Sequence, residues 1–346
     1  MRRGRVFPRR PDPGLPVPAD LIEVFAGRDL TGDGVMKLPF LRALRLAWPR
    51  ARIVWLTAGK SVFASTLRPL TVDLLDEVIE DTGIGESWLD VLRPRVDLRL
   101  ADLKGADLLI DTQRQLRTSL SLSRLRPKIF ISAAGGWLLS ARAPASREKP
   151  PSMLGQMMRL IAACDIEVDC SDLPPLKLPR AMEEDAARRL AGGGPPLVGL
   201  APGAGDRGKC WPLERFLGLG AALAARGLTP VVLLGPAEQD WGKPVARELP
   251  GALLPVRAED SPLMTLAIAR RLAVAVANDS GLGHLIAAAG TPLVSLFGPT
   301  APEKFAPQAT RLTLLRAQDF GAPAMTAIPV TAVLDAVLAW LSARPS

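Results

Sequence analysis

Ala273-Val274-Ala275-Val276-Ala277-Asn278-Asp279-Ser280-Gly281-Leu282-Gly283-His284 is the stretch on which the fold turns. Five consecutive apolar residues without a charge read as a strand buried on both faces, the habit of parallel sheets. A small, polar, glycine-bearing turn follows over 278–283, and a short helix begins at His284. A strand that delivers such a turn onto a helix start offers free N–H groups and the positive end of a helix dipole, which suit a diphosphate. Asp279, Ser280 and Gly281 are placed to hold the turn and line the site, with His284 aimed at the same place from the first helical turn. The plain alternative is a capped turn beside a histidine at the core edge. Its continuation through Gly290-Thr291-Pro292 to Phe297-Gly298-Pro299-Thr300 weighs against that alternative.

Around this stretch the same alternation recurs. Strands are predicted at Leu197–Leu200, Pro230–Leu234 and Leu293–Phe297, with a loop over 201–212 and a helix from Leu213 to Arg226 closed by Gly227. Helices follow from Glu238 and from Ser261 as N-cap, and a last one spans Val330–Leu341. Upstream, Leu21–Phe25 reads as a strand that enters the turn Gly27–Gly34 and then a helix with Val35, Leu38, Leu41 and Leu44 at helical spacing. Pro39 is expected near its first turn, where a missing N–H matters least. Further strands are predicted at Arg52–Leu56, Asp107–Ile110 and Lys128–Ser132. Strands alternating with helices give an α/β chain with doubly wound parallel sheets, whose ligands bind beyond the C-terminal strand ends. Prolines 174, 175 and 179, the run Gly192-Gly193-Gly194-Pro195-Pro196 and a polar helix near 181–190 mark a linker. The predicted organisation is a basic, proline-rich arm over 1–20, a first Rossmann-like domain over 21–175, a linker over 176–196 and a second such domain over 197–346.

Composition agrees. The chain has 346 residues, 48% of them hydrophobic and 23% charged, enough for two cores of about 150–180 residues each. Cys164, Cys170 and Cys210 show no metal-ligand spacing and His284 is the single histidine, so neither disulfides nor a metal site are expected. Lysine and arginine (43) outnumber aspartate and glutamate (35), for a net charge of +8 and a pI near 9.9. That excess favours anionic partners: nucleotides, phosphorylated glycolipid, a membrane surface or nucleic acid. Without aromatic-basic interleaving or a recognisable binding module, nucleic acid is set aside. The chain shows no apolar run of about 18 residues and no apolar segment after the basic start, so a cytoplasmic protein is expected.

Three more places carry chemistry. The loop Pro202-Gly203-Ala204-Gly205-Asp206-Arg207-Gly208-Lys209-Cys210-Trp211-Pro212 follows a strand and precedes a helix, so Lys209 and the amides near Ala204 and Gly205 lie at the same sheet edge, able to neutralise a phosphate leaving group. It lacks the pattern of a Walker A loop. Glu238, just past Gly235-Pro236, stands where a carboxylate reaches ribose hydroxyls, although a surface glutamate at a helix start explains it equally well. Asp33 in Gly32-Asp33-Gly34 faces the interdomain cleft, where a general base belongs; taken alone, an aspartate at a helix start is an ordinary cap.

Taken together, Gly32-Asp33 with Pro39 and Leu41-Arg42-Ala43-Leu44, Lys209-Cys210-Trp211-Pro212 with Phe216, Leu234-Gly235 with Glu238, and Asn278 to Thr300 resemble glycosyltransferase family 9, the ADP-heptose:lipopolysaccharide heptosyltransferases. Asp111 to Leu120, with Arg117, is similar to a first-domain segment of that family. The resemblance implies a GT-B fold, two Rossmann-like domains facing across a cleft, and inverting transfer without a cofactor or tightly bound metal. ADP-heptose, or a related nucleotide sugar, is the implied donor, and an anionic glycolipid or lipopolysaccharide the implied acceptor, with room for peripheral contact at the inner membrane. By the same resemblance Asp33 is the base, Lys209 meets the diphosphate, Asp279, Ser280, Gly281 and His284 shape the phosphate and sugar site, and Glu238 contacts ribose. Arg68, Arg114 and Arg117 are candidates for the acceptor. The arm, Gly34 in place of an apolar residue and Cys210 beside the lysine depart from the family pattern. A UDP-sugar transferase, a nucleotide-sugar epimerase and an inactive nucleotide- or glycolipid-binding homologue remain alternatives.

Overall fold

The computed structural model describes residues 17–27, 29, 31–86, 105–168, 176–307 and 309–343. Most of the basic arm, Cys170 and Pro174-Pro175 of the expected linker lie outside them. Two five-stranded, wholly parallel sheets organise the chain. The first runs β3-β2-β1-β4-β5, from β1 (Leu21–Ala26), β2 (Arg52–Thr57), β3 (Glu77–Ile79), β4 (Leu108–Asp111) and β5 (Ile129–Ser132). The second runs β10-β9-β8-β6-β7, from β6 (Leu197–Ala201), β7 (Thr229–Val232), β8 (Val274–Asn278), β9 (Leu293–Phe297) and β10 (Leu312–Arg316). In the first sheet β1 pairs with β2 and β4, Val24 standing beside Trp55 and Ile110. In the second β8 lies between β6 and β9, Val276 beside Leu200 and Val294. The strand order reverses between β1 and β4 and again between β6 and β8, so each sheet opens a crevice at that point.

The helices that matter are α1 (Thr31–Ala47), α2 (Leu116–Ser123), α3 (Met153–Ala162), α4 (Arg180–Leu190), α5 (Leu213–Ala224), α6 (Gly242–Glu248), α7 (Pro262–Ala269), α8 (Gly281–Ala288) and α9 (Val330–Ser342). Pro39 sits deep inside α1, two turns past the expected position. Its missing N–H leaves the Val35 carbonyl without its helical donor. Gly34 accounts for a departure noted in the sequence: a Cβ there would come within 2.5 Å of Val62 Cγ2, so only glycine lets α1 settle on that segment. Helix α8 begins three residues earlier than His284, because the Ser280 Oγ accepts from Gly283 N at 3.3 Å and caps the turn. The helix after Gly235 starts as a 3-10 turn over Pro236–Trp241 before α6. Edge strands β3 and β10, both half-buried, had no counterpart in the sequence reading.

Apolar burial closes each domain. Trp211 and Phe216 stack edge-to-face at 5.0 Å inside the second core, worth about 0.5–1.5 kcal/mol beyond area burial. Helix α4, inside the expected linker, packs Ala186 and Leu190 against Met264 and Ile268 of the second domain. A third cluster joins the domains: Leu263, Leu266 and Leu285 pack with α1 and the first sheet, and α1 lies along α8. Among the described residues no helix is long and apolar enough to cross a membrane.

Candidate active site

Both crevices face the same gap. A Cβ built on Gly32 would lie 3.7 Å from the Gly281 Cα, so the starts of α1 and α8 meet backbone to backbone across the domains. The structure gathers around that contact part of the residues singled out from the sequence and sends others elsewhere.

On the second domain, β8 ends in Asn278, whose amide ties two loops together. Its Nδ2 donates to the Pro202 carbonyl at 2.7 Å and its Oδ1 accepts from Trp211 N at 3.0 Å. This fixes both ends of the 202–211 loop to the strand that carries Asp279. Within the loop Asp206 accepts from Gly208 N and caps a single 3-10 turn, Arg207–Lys209. The Lys209 Nζ then reaches Asp279 Oδ2 at 2.9 Å, and the Thr300 hydroxyl donates to the same oxygen at 2.8 Å. The lysine also stands 5.5 Å from the Phe305 ring centre. The buried Asp279 thus holds the Lys209 cation two residues before the start of α8.

Ala204, Gly205, Glu238, Ser280 and Gly281 line one cavity of about 330 Å³, walled on its apolar side by Val256, Leu282 and Leu285. Glu238 lies against the loop so closely that a Cβ on Gly203 would come 2.5 Å from its carboxyl carbon. Burial raises the Glu238 carboxyl above its ordinary range, opposed by Arg207, which itself stacks over Trp241 at 5.1 Å. Val256 and Thr265, which also line this cavity, belonged to no motif and were missed in the sequence: Val256 stands in a loop and Thr265 within the otherwise apolar helix α7. Cys210 is half-buried, and burial raises its thiol above the usual range.

His284 is buried, within electrostatic reach of Asp279, Asp33 and Lys209, and burial holds its imidazole below the usual range. Its ring borders a different cavity, about 590 Å³, between the flanks of α1 and α8. The histidine therefore lines this cavity and not the 330 Å³ one.

On the first domain Asp33 lies in the first turn of α1 and borders a cavity of about 510 Å³ with Lys37, Thr112, Gln113, Arg114 and Lys149. Asp33 makes no hydrogen bond or ion pair to another described residue. Behind Thr112, the buried Asp111 accepts from Ser119 Oγ, Ser132 Oγ (3.0 Å) and Gln113 N (2.8 Å), which orients the loop after β4. Arg114, in a left-handed conformation (φ 56°), shares the Asp33 cavity. Arg117 does not line it, and its Nε is buried without a partner. Arg68 is brought to another place, a cavity of about 440 Å³ with Phe63, Val72 and Glu77 beside β3. Among the described residues no group of three His, Cys, Asp or Glu side chains is arranged to hold a metal.

The family model for glycosyltransferase family 9 (heptosyltransferase) matches residues 100–327. The chain belongs to this family. It is 26% identical over 187 residues to lipooligosaccharide heptosyltransferase 2 of Haemophilus influenzae, an alignment covering 50% of this chain and 54% of that protein. The chain thus spans about half the length of that curated relative. A family 9 glycosyltransferase from Veillonella parvula superposes with a TM-score of 0.72 at 19% identity, covering 94% of this chain and 98% of that one. A heptosyltransferase of E. coli solved with ADP superposes at 0.64, with 18% identity and coverage of 92% and 99%. The two facing parallel-sheet domains are those of the GT-B fold, as the resemblance implied.

Proposed function

We propose that this chain is an inverting glycosyltransferase that moves heptose, or a related sugar, from ADP-heptose to a lipopolysaccharide inner-core type acceptor. The observation that carries the reading is the juxtaposition across the Gly32–Gly281 contact of a carboxylate without hydrogen-bond partners, Asp33, and a held cation at a helix start, Lys209 on Asp279. The 330 Å³ cavity takes the nucleotide, with Glu238 toward the ribose and the Val256, Leu282 and Leu285 wall toward the base. Asp33 accepts the proton of an acceptor hydroxyl as its oxygen attacks the anomeric carbon. The bond from that carbon to the diphosphate breaks, and Lys209 with the amides at the start of α8 takes up the departing charge. The side-chain chemistry needs no metal or organic cofactor for these steps. The related E. coli structure with bound ADP supports an adenine nucleotide for this cavity. Arg114 and Lys149 line the Asp33 cavity, which suits an anionic glycolipid approaching from a cytoplasmic membrane face.

The test is a transfer assay with ADP-heptose and a purified lipopolysaccharide inner-core acceptor. Wild-type protein is expected to form an inverted glycosidic bond, and Asp33→Asn to turn over roughly 10²–10⁴-fold more slowly with donor affinity unchanged. Near-normal turnover in Asp33→Asn removes it as the base; transfer from a UDP-sugar instead moves the donor assignment.

A further inference from the structure

The cavity that holds Asp33 contains a second ionisable group on the same face of α1, one turn on: Lys37. Residues four apart on a helix are neighbours, so the lysine stands directly beside the expected base. Its surroundings are unusual. Lys37 is 6% exposed and pairs with Asp29, which is 3% exposed. The two oxygens of Asp29 are divided. Its Oδ1 accepts from Lys37, while Oδ2 accepts from Trp55 Nε1 at 2.8 Å and Ser61 Oγ at 2.9 Å. The Trp55 ring closes over the ammonium at 5.8 Å. The carboxylate is therefore fully occupied, whereas the ammonium has given one of its three N–H donors. Among the described residues no other acceptor lies within hydrogen-bond distance of it, and the open side of the group is the cavity.

A pair that served packing alone would bury all of its polar atoms, and a cation that served solubility would reach solvent. Lys37 does neither: its charge is retained by Asp29, two of its donors are uncommitted, and the residue lines the same cavity as Asp33. Arg114 and Lys149 border the same space, and the only acid among its lining residues is Asp33. The ligand chemistry that such a set accepts is an oxyanion within one helical turn of the reacting hydroxyl.

Resting on the glycosyltransferase reading above, we infer that Lys37, anchored by Asp29, is a specificity-determining residue that seats an acidic group of the acceptor, a carboxylate or a phosphate, beside Asp33. Its contribution is to orient the hydroxyl toward the base and to reject acceptors that lack the charge.

The experiment compares wild type, Lys37→Met and the double variant Asp29→Asn with Lys37→Met. The single variant strands a buried carboxylate and is expected to lower Tm. The double variant removes both charges, keeps an acceptor oxygen for Trp55 and Ser61, and is expected to recover most of that loss. Calorimetric binding is measured for deacylated inner-core acceptor in three forms: intact, dephosphorylated, and with carboxyls methyl-esterified. ADP is titrated into each protein in parallel. Wild type is expected to bind the intact form at least tenfold more tightly than one of the two masked forms. The double variant is expected to lose that discrimination while binding ADP like wild type. A folded double variant that discriminates like wild type overturns the role of Lys37 and leaves the glycosyltransferase reading standing. Wild type that binds no ADP overturns that reading itself.

Discussion

At the edge of the second sheet, Asp279 is already held by Lys209 and Thr300, and Asn278 ties down the loop that carries the lysine. At the edge of the first, Asp33 has no described partner, and the neighbouring charge, Lys37, is the one that is anchored. The difference matches what the proposed reaction would ask of each side. A diphosphate is met best by donors whose positions are settled before it arrives, because no reorganisation is then needed as its charge grows. A base must keep its lone pair available, so its carboxylate stays uncommitted and the order around it is supplied by neighbours. The sheets differ in the same sense. The central strand β8 is wholly apolar up to Asn278, whereas β1 carries Glu23 at its centre with neither carboxylate oxygen partnered.

Glu23 gives the largest effect by which that contrast can be broken. Burial pushes its carboxyl from the ordinary 4.5 up to about 8, so the folded chain holds a proton that the unfolded chain releases. The sign is fixed: stability is full below pH 4.5 and declines as pH rises toward 8, at about 1.4 kcal/mol per pH unit for this group and roughly 5 kcal/mol in all. Denaturant unfolding from pH 5 to pH 8 is expected to show this slope, and Glu23→Gln to remove it. An unchanged slope in Glu23→Gln would place the proton elsewhere.

Lys209→Ala comes next. Loss of one charge-assisted contact to the diphosphate is expected to weaken ADP binding by about 1.5–3 kcal/mol, roughly ten- to a hundredfold. The buried Asp279 then keeps only the Thr300 hydroxyl, so the unliganded variant is also expected to unfold at a lower Tm, and affinity is the quantity to compare. Equal ADP affinity in the variant would mean that the lysine serves the loop and not the ligand.

Gly203→Ala sharpens the account at the smallest scale. The new Cβ would displace the Glu238 carboxylate, the far end of a flexible side chain, so about 1 kcal/mol of nucleotide affinity is expected to be lost without loss of fold. Calorimetry with ADP reads it, and unaltered binding would detach Glu238 from the nucleotide.

How far these features were legible in the sequence follows the same division. Strands such as Val274–Asn278 and Leu293–Phe297 are mostly apolar and the turn after Asn278 is built of small polar residues, so the pattern singled out Asp279, Ser280, Gly281 and Lys209, whereas Glu238 was left even with a surface glutamate until the family resemblance was added. Strands β3 and β10 are short or half-buried edges, whose mixed composition looks like loop. Asp29 and Lys37 were passed over because charges eight residues apart read as solvated unless the tertiary structure folds one onto the other. Arg68 shows the converse: an arginine count near a site says nothing of which crevice each side chain enters. His284 lies in the first turn of α8, as expected, yet it lines the 590 Å³ cavity beside α1, which no pattern in the sequence foretold.

The most direct test of the central claim, that the second sheet's crevice is an ADP site completed by Lys209, is thermal unfolding of wild type and Lys209→Ala with ADP, UDP, GDP and CMP in turn. A ligand that binds only the folded chain raises Tm by an amount that grows with the logarithm of its concentration relative to Kd. The account predicts a rise for wild type with ADP above the other three, much reduced in Lys209→Ala. A rise selective for another nucleotide, or one that survives the loss of the lysine unchanged, would contradict it.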